Sequence, residues 1–425
     1  MQDRKKVIVY NEGKLVVISA FISLFCCVLA YSLKYITEFA QHHFRTVASE
    51  QIIWFIFFPA FGLTIIYFIR KYLFHNRKNK GIAEIYKTLD LRKDHLPFFK
   101  VPSHYINGFF TVIFGGSTGI EVSTVVATAT LGNEAYKVDF SAKMYKRELI
   151  SAAVVAGVAV LFQSPLAGLL FSLEAIARKV NKYLLLSCGT SALVSWGFIS
   201  IFQSKSLLPF EVGTWSWKAL PFFLVLSLFG SLLSIYFTLL VIKIKEIAIK
   251  INRAYIRLII GSILIGAALF TFPFLYGDSY HGTIELIQTI ADKNTVSLSL
   301  LVILIFSKPL VAALTLGAGG DGGVFAPSIV AGAVLGILFA QLSNQYFGTS
   351  LIPLNFALAG AAATLSPSIA APFTTLILIC NLVPNGYSLF IPIFICSIVG
   401  QKFARMILPY NVYSYTGRAN GKPST

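Results

Sequence analysis

Charge is scarce in this chain, and so are the residues that usually carry enzymatic chemistry. Only 12% of the 425 residues are charged, and the acids number 18. The five cysteines, Cys26, Cys27, Cys188, Cys380 and Cys396, lie in apolar runs without CxxC spacing. They read as buried small hydrophobes rather than a disulfide framework or a metal cluster. The histidines His42, His43, His75, His95, His104 and His281 form no HExxH arrangement. His42 and His43 are adjacent, so on a helix they would point about 100° apart and make a poor metal pair. There is no Gly-x-Ser-x-Gly elbow and no Walker loop, which leaves hydrolysis and ATP-driven pumping without support. We expect no enzyme, no metal and no cofactor.

Apolar residues make up 56% of the chain and the mean hydropathy is +0.74. That composition describes an all-α polytopic membrane protein embedded in a lipid bilayer. Apolar runs long enough to span occur near Leu15 to Leu33, Ile52 to Ile69, Leu149 to Leu173, Leu184 to Phe202, Ala219 to Ile242, Leu258 to Tyr276, Val296 to Leu316, Ile352 to Val383 and Tyr387 to Val399. Several are too long or too short for one simple span, which points to tilted helices and helices that stop partway across.

The net charge of +17 would suit nucleic acid, but its distribution does not. Arg4, Lys5, Lys6 and Lys14 precede the first span, basic residues recur from Arg70 to Lys100, and Lys143, Lys146 and Arg147 precede Leu149. Such clustering in short connectors marks cytoplasmic loops, so both termini are expected in the cytoplasm of a cell-membrane protein, with no nucleic-acid partner. The first apolar run lacks a small-x-small cleavage site and reads as a retained helix rather than a signal peptide.

Two glycine-rich segments, Gly115 to Val122 and Gly319 to Ala326, look like copies of one another. Gly115/Gly319, Gly116/Gly320, Gly119/Gly323, Val126/Val330 and Ala127/Ala331 all match at an offset of 204 residues. A second echo, Ser164-Pro-Leu-Ala and Ala371-Pro-Phe-Thr, has an offset of 207. The chain thus divides into pseudo-repeat halves, about 30–205 and 215–410, expected to form one transmembrane domain over 1–425. The polar stretch from Ser204 to Lys218 separates them, with Trp215 and Trp217 as interfacial anchors. The tail 416–425 reads as short and flexible, with no C-terminal regulatory domain.

Glycines in apolar context suit a point where an unwound backbone enters a helix, or close packing through small residues. Repetition at matching places favours helix starts near the bilayer midplane. A helix N-terminus leaves unpaired N–H groups and about half a positive charge, so two such ends meeting in a membrane form an anion site without burying full charges. Asp321 reads as a turn or N-cap residue rather than a ligand.

The run Ser307 to Ser328, containing Gly-Gly-Asp-Gly-Gly-Val-Phe-Ala-Pro, resembles the Gly-Gly-(Ile/Val)-Phe-x-Pro signature of the CLC family of chloride channels and proton-coupled chloride transporters. Phe162 to Glu174 and Asn-Val-Tyr413-Ser414 are similar to further segments of that family, and the likeness extends over about Phe74 to Ser414. The resemblance implies a CLC-type inverted repeat of tilted and half-spanning helices, with chloride as the transported ligand and a homodimer with one pore per subunit. It implies an anion site made by the amides of Val324 and Phe325, those near Gly119 and Ile120, the start of a half-helix at Gly81-Ile82, and the Tyr413 hydroxyl.

Three positions depart from the family pattern. Thr118 stands at the gating glutamate position, and a threonine cannot carry a proton. Ala175 follows Glu174 where the transporters have an internal proton-accepting glutamate. Lys80 replaces the serine that lines the central site. Lys80 reads either as the end of a solvated basic string or as an ammonium beside the anion, which at midplane costs about 2.5–3.5 kcal/mol unless paired; we lean to the pore position. Glu121 is a candidate substitute acid, although a first-turn glutamate favoured by the helix dipole is the preferred reading. Lys308, before Pro309, is expected to contact backbone carbonyls or to snorkel. Two missing carboxylates lead to the expectation of passive, proton-independent anion conduction. The alternatives are a coupled antiporter that uses Glu121 or Lys80, and a non-conducting anion-binding sensor.

Overall fold

The computed structural model describes residues 2–77, 79–90, 95–138, 145–177, 179–202, 208–291 and 296–415. Lys78, Lys143, Ser204 and the tail 416–425 lie outside the described residues. Every regular element among them is helical. Backbone groups in lipid must be paired within their own segment, and helices do this.

The first half contains α1 (Gln2–Glu50), α2 (Trp54–Phe68), α3 (Ala83–Asp90), α4 (Lys100–Ile113), α5 (Glu121–Val138), α6 (Lys146–Phe162), α7 (Pro165–Phe171) and α8 (Lys182–Phe202). The second contains α9 (Leu220–Lys250), α10 (Ala254–Thr271), α11 (Tyr280–Ala291), α12 (Leu298–Ala318), α13 (Phe325–Phe347), α14 (Pro353–Ile369), α15 (Pro372–Cys380) and α16 (Phe390–Ile407). Helix starts follow the sequence offsets. Glu121 and Phe325 are 204 residues apart, and Lys146/Pro353 and Pro165/Pro372 are each 207 apart. Eight helices are long and apolar enough to cross a membrane among the described residues.

The two overlong apolar runs break at equivalent places. Gln163 (φ 53°) ends α6 and Ala370 (φ 58°) ends α14, each in the left-handed conformation and each shortly before a proline that starts the next helix. Proline suits the first helical turn, where its missing N–H leaves nothing unpaired. Leu149 to Leu173 and Ile352 to Val383 are therefore helix pairs, not single spans.

The centre of the bundle is built from small residues. Every residue from Glu148 to Phe162 of α6 and from Asn355 to Ile369 of α14 is buried. A methyl group on Gly332 of α13 would strike the Gly360 carbonyl of α14, and one on Gly360 would strike the Gly332 carbonyl. Between apolar helices in lipid, where burial gives little drive, this closeness supplies the packing energy. The large side chains left exposed, among them Phe21, Phe25, Phe57, Phe61, Leu193 and Ile263, form the outer face that lipid would cover. Trp215 donates its indole N–H to the Ser388 carbonyl at 3.1 Å, and Trp217 is exposed.

Candidate functional site: three helix starts and a tyrosine

The two glycine loops begin alike. Gly115 (φ 84°) and Gly319 (φ 112°) both adopt the left-handed conformation that L side chains resist. Gly116 N–H then donates to the Thr111 carbonyl at 2.8 Å, and Gly320 N–H to the Thr315 carbonyl at 2.9 Å. The loops meet at Gly119 and Gly323, whose backbones form an antiparallel bridge. From there α5 and α13 start, and Val324, the N-cap of α13, makes no side-chain cap.

Val122, in the first turn of α5, is the meeting point of three helix starts. A methyl group on Gly81 would lie 3.4 Å from Val122 Cγ1, and one on Gly323 would overlap Cγ2. The Tyr413 hydroxyl would be 3.3 Å from that same Gly323 methyl and accepts the Val324 N–H at 3.3 Å. Asn411 sets the tyrosine in place, its Oδ1 accepting the Tyr413 N–H at 3.0 Å and the Ser414 N–H at 2.9 Å. Asparagine commonly holds a turn this way. Gly81-Ile82, Gly119-Ile120, Val324-Phe325 and Tyr413 are thus gathered around one point, with Ile82, Val324 and Phe325 buried and Ile120 and Tyr413 half-buried.

Lys80 is not gathered with them. It is exposed just before α3, while its neighbour Asn79 turns inward and donates to Asp321 at 2.7 Å. The cost of desolvating an ammonium explains why the exposed position is the stable one.

Thr118 is fully buried, its Oγ1 without a hydrogen-bond partner among the described residues and pressed against Gly322. Glu121 is buried as well. A methyl group on Gly119 would coincide with its carboxylate, so the acid folds back over the first glycine loop. The Tyr280 hydroxyl lies 3.5 Å from Oε1, and Oε2 has no hydrogen-bond partner among the described residues. A small cavity of about 40 Å³ adjoins it, lined also by Lys34, Glu38, Ile120, Asp278 and Tyr280. The sequence signal for Glu121 is its distance of one turn from Thr118; nothing local announces Glu38, Asp278 or Tyr280, which come from other elements.

Glu174 and Ala175 lie in a π-helical segment, Ser172–Ala177, that continues α7. Glu174 serves the start of α15, accepting the Phe373 and Thr374 N–H groups at 3.1 and 2.7 Å and the Thr374 hydroxyl at 2.6 Å. Ala175 lines a separate cavity of about 290 Å³ together with Glu174, Gln401, Arg405, Asn411 and Ser414.

Asp321 does not act as an N-cap. Its carboxylate joins several elements, meeting His104 Nδ1 at 3.0 Å, Asn79 Nδ2 at 2.7 Å, Ser123 Oγ at 3.5 Å and Arg70 Nη2 at 3.8 Å. Lys308 reaches one carbonyl, Gly277 at 2.8 Å, and two hydroxyls, Ser117 at 2.8 Å and Ser279 at 2.7 Å. Among the described residues no cluster of His, Cys, Asp and Glu fits a metal ion. All five cysteines are buried and free.

A family model described as "Voltage gated chloride channel" matches residues 61–405. Similar proteins include the H(+)/Cl(-) exchange transporter ClcA of Vibrio cholerae serotype O1 (strain M66-2), 26% identical over 369 residues, which span 84% of this chain and 77% of that protein. The H(+)/Cl(-) exchange transporter ClcA of Yersinia pestis bv. Antiqua (strain Angola) is 24% identical over 348 residues, 79% of this chain and 71% of that protein. Two crystal structures share the fold. One is of a CLC-type fluoride/proton antiporter (TM-score 0.77, 20% identity, 94% of this chain and 97% of that one). The other is of a slow cyanobacterial Cl-/H+ antiporter (TM-score 0.79, 18% identity, 94% and 96%). The helical architecture, the paired glycine loops and the family match over most of the chain agree: this protein belongs to the CLC family, a family of anion channels and transporters and not of enzymes.

Proposed function

We propose that the protein carries a small anion across the cell membrane past the amides of Gly81-Ile82, Gly119-Ile120 and Val324-Phe325 and the Tyr413 hydroxyl, with Glu121 as a protonatable gate that couples anion movement to protons. The supporting observation is the Glu121 carboxylate lying over Gly119, with one oxygen unpartnered among the described residues. An ionised carboxylate there competes with an anion for the same helix-start field, and a protonated one does not. The cavity shared with Glu38, Asp278 and Tyr280 offers the proton a way off. Relatives named as proton/chloride exchangers agree with this reading.

Uncoupled conduction is the second reading, and Ala175 favours it: beside the larger cavity stands a methyl group that holds no proton. In both readings the two halves form a single transmembrane domain, the termini face the cytoplasm, and two chains associate with one pore each.

Liposomes in which chloride and proton movements are recorded together separate the two. Coupling predicts uphill proton movement driven by a chloride gradient, abolished in Glu121→Gln while chloride flux continues. Chloride flux in the unaltered protein with no proton movement selects uncoupled conduction.

A further inference from the structure

His104 and Lys308 are 204 residues apart, the offset that relates the two glycine loops. Both are completely buried, His104 on α4 and Lys308 on α12. Neither serves the loop that follows its own helix. Lys308, of the second half, donates to Ser117 in the first loop at 2.8 Å. His104, of the first half, meets Asp321 in the second loop, Nδ1 lying 3.1 Å from Oδ1. Ser117 and Asp321 are again 204 residues apart.

The backbone repeats the exchange. Ser117 N–H donates to Thr315 Oγ1 at 3.2 Å, and Asp321 N–H donates to Thr111 Oγ1 at 2.9 Å. Thr111 and Thr315 share the same offset. Such reciprocity places a pseudo-two-fold axis between the loops, with the Gly119 and Gly323 bridge beside it. Ser117 and Asp321 each stand two residues before the bridging glycine, so a shift in either is passed within one turn to the amides of Gly119-Ile120 or Val324-Phe325.

The two exchanges differ in charge. Ser117 meets Lys308 and Thr315, so the first exchange holds no counterpart of the Asp321 carboxylate. Asp321 is an acid, and His104, with Arg70 at 3.8 Å and Asn79 at 2.7 Å, holds its carboxylate within the protein. A buried carboxylate left without such a partner repels a nearby anion.

We propose that His104 and Lys308 are a matched pair of positioning residues, each setting from the opposite half the glycine loop whose amides face the anion. In this arrangement His104 also keeps the Asp321 charge away from the anion. The inference rests on the reading that those amides bind the anion.

Chloride binding to the purified, detergent-solubilised chain by calorimetry tests it, with thermal unfolding recorded for every variant. His104→Gln is expected to weaken chloride binding about 10-fold, the scale of one hydrogen bond lost from a buried carboxylate, because Asp321 is then left to Asn79, Ser123 and Arg70. Adding Asp321→Asn to that variant is expected to restore binding, because the charge to be compensated is gone. Adding Asp321→Asn to Lys308→Met is expected to restore nothing; Ser117→Ala replaces Lys308→Met in this arm if the latter does not fold. Binding in folded His104→Gln equal to that of the unaltered chain overturns the proposal, as does equal restoration in both backgrounds. Absence of saturable chloride binding in the unaltered chain overturns the amide site itself, and the positioning claim with it. Failure of proton coupling in liposomes, with binding intact, leaves the inference standing and overturns only the gate assigned to Glu121.

Discussion

Gly119 and Gly323 touch, backbone to backbone, across the boundary between the two halves of the chain. Residues 204 apart in sequence are thereby neighbours at the point where two helices start. The bridge explains why glycine stands at both positions: a methyl group on Gly119 would displace the Glu121 carboxylate, and one on Gly323 would overlap Val122. The close approach gathers the amides of both helix starts around one point, and with them the positive ends of two helix dipoles.

Gly323→Ala is therefore expected to disable the site. Its methyl would overlap Val122 and press on the Tyr413 hydroxyl, 3.3 Å away. Overpacking of this kind costs about 1–3 kcal/mol. Calorimetry should find chloride binding lost while size-exclusion chromatography still reports a folded protein; binding at the level of the unaltered chain would show that the bridge is not part of the site.

Thr118→Val tests whether position 118 retains any gating chemistry. The Thr118 hydroxyl is buried with no hydrogen-bond partner among the described residues, and an unmade buried hydrogen bond costs about 1–3 kcal/mol. Valine has the same shape and no such debt, so the variant should unfold at the same temperature or higher and transport chloride unchanged. A fall in flux would give the hydroxyl a direct contact with the anion.

Glu174→Gln should lower stability and leave transport per folded protein unchanged. The carboxylate receives two backbone N–H groups and a hydroxyl at the start of α15, and losing the charge from such a cap costs about 1–2 kcal/mol. Thermal unfolding reads the first effect and liposome flux the second. Lost proton movement with unaltered unfolding would instead make Glu174 a proton carrier.

Composition and spacing alone determined a good deal. The membrane class follows from hydropathy, because lipid admits few charges, and the helical architecture follows from the need to pair every backbone group. The offsets of 204 and 207 residues marked the helix starts at Glu121, Phe325, Pro165 and Pro372, because the breakers glycine and proline act locally. Tertiary structure decided what those starts meet. Lys80, one residue from Asn79, is exposed while Asn79 reaches Asp321, and no local pattern distinguishes them. Asp321 looked like a turn residue because its partners His104, Asn79 and Arg70 lie more than two hundred residues away in the chain. Glu121 had the form of an ordinary first-turn acid until the fold placed it over Gly119 and beside Tyr280. A helix start announces itself in sequence; the charge that it faces is set by desolvation and by contacts between distant segments, which only the packed chain defines.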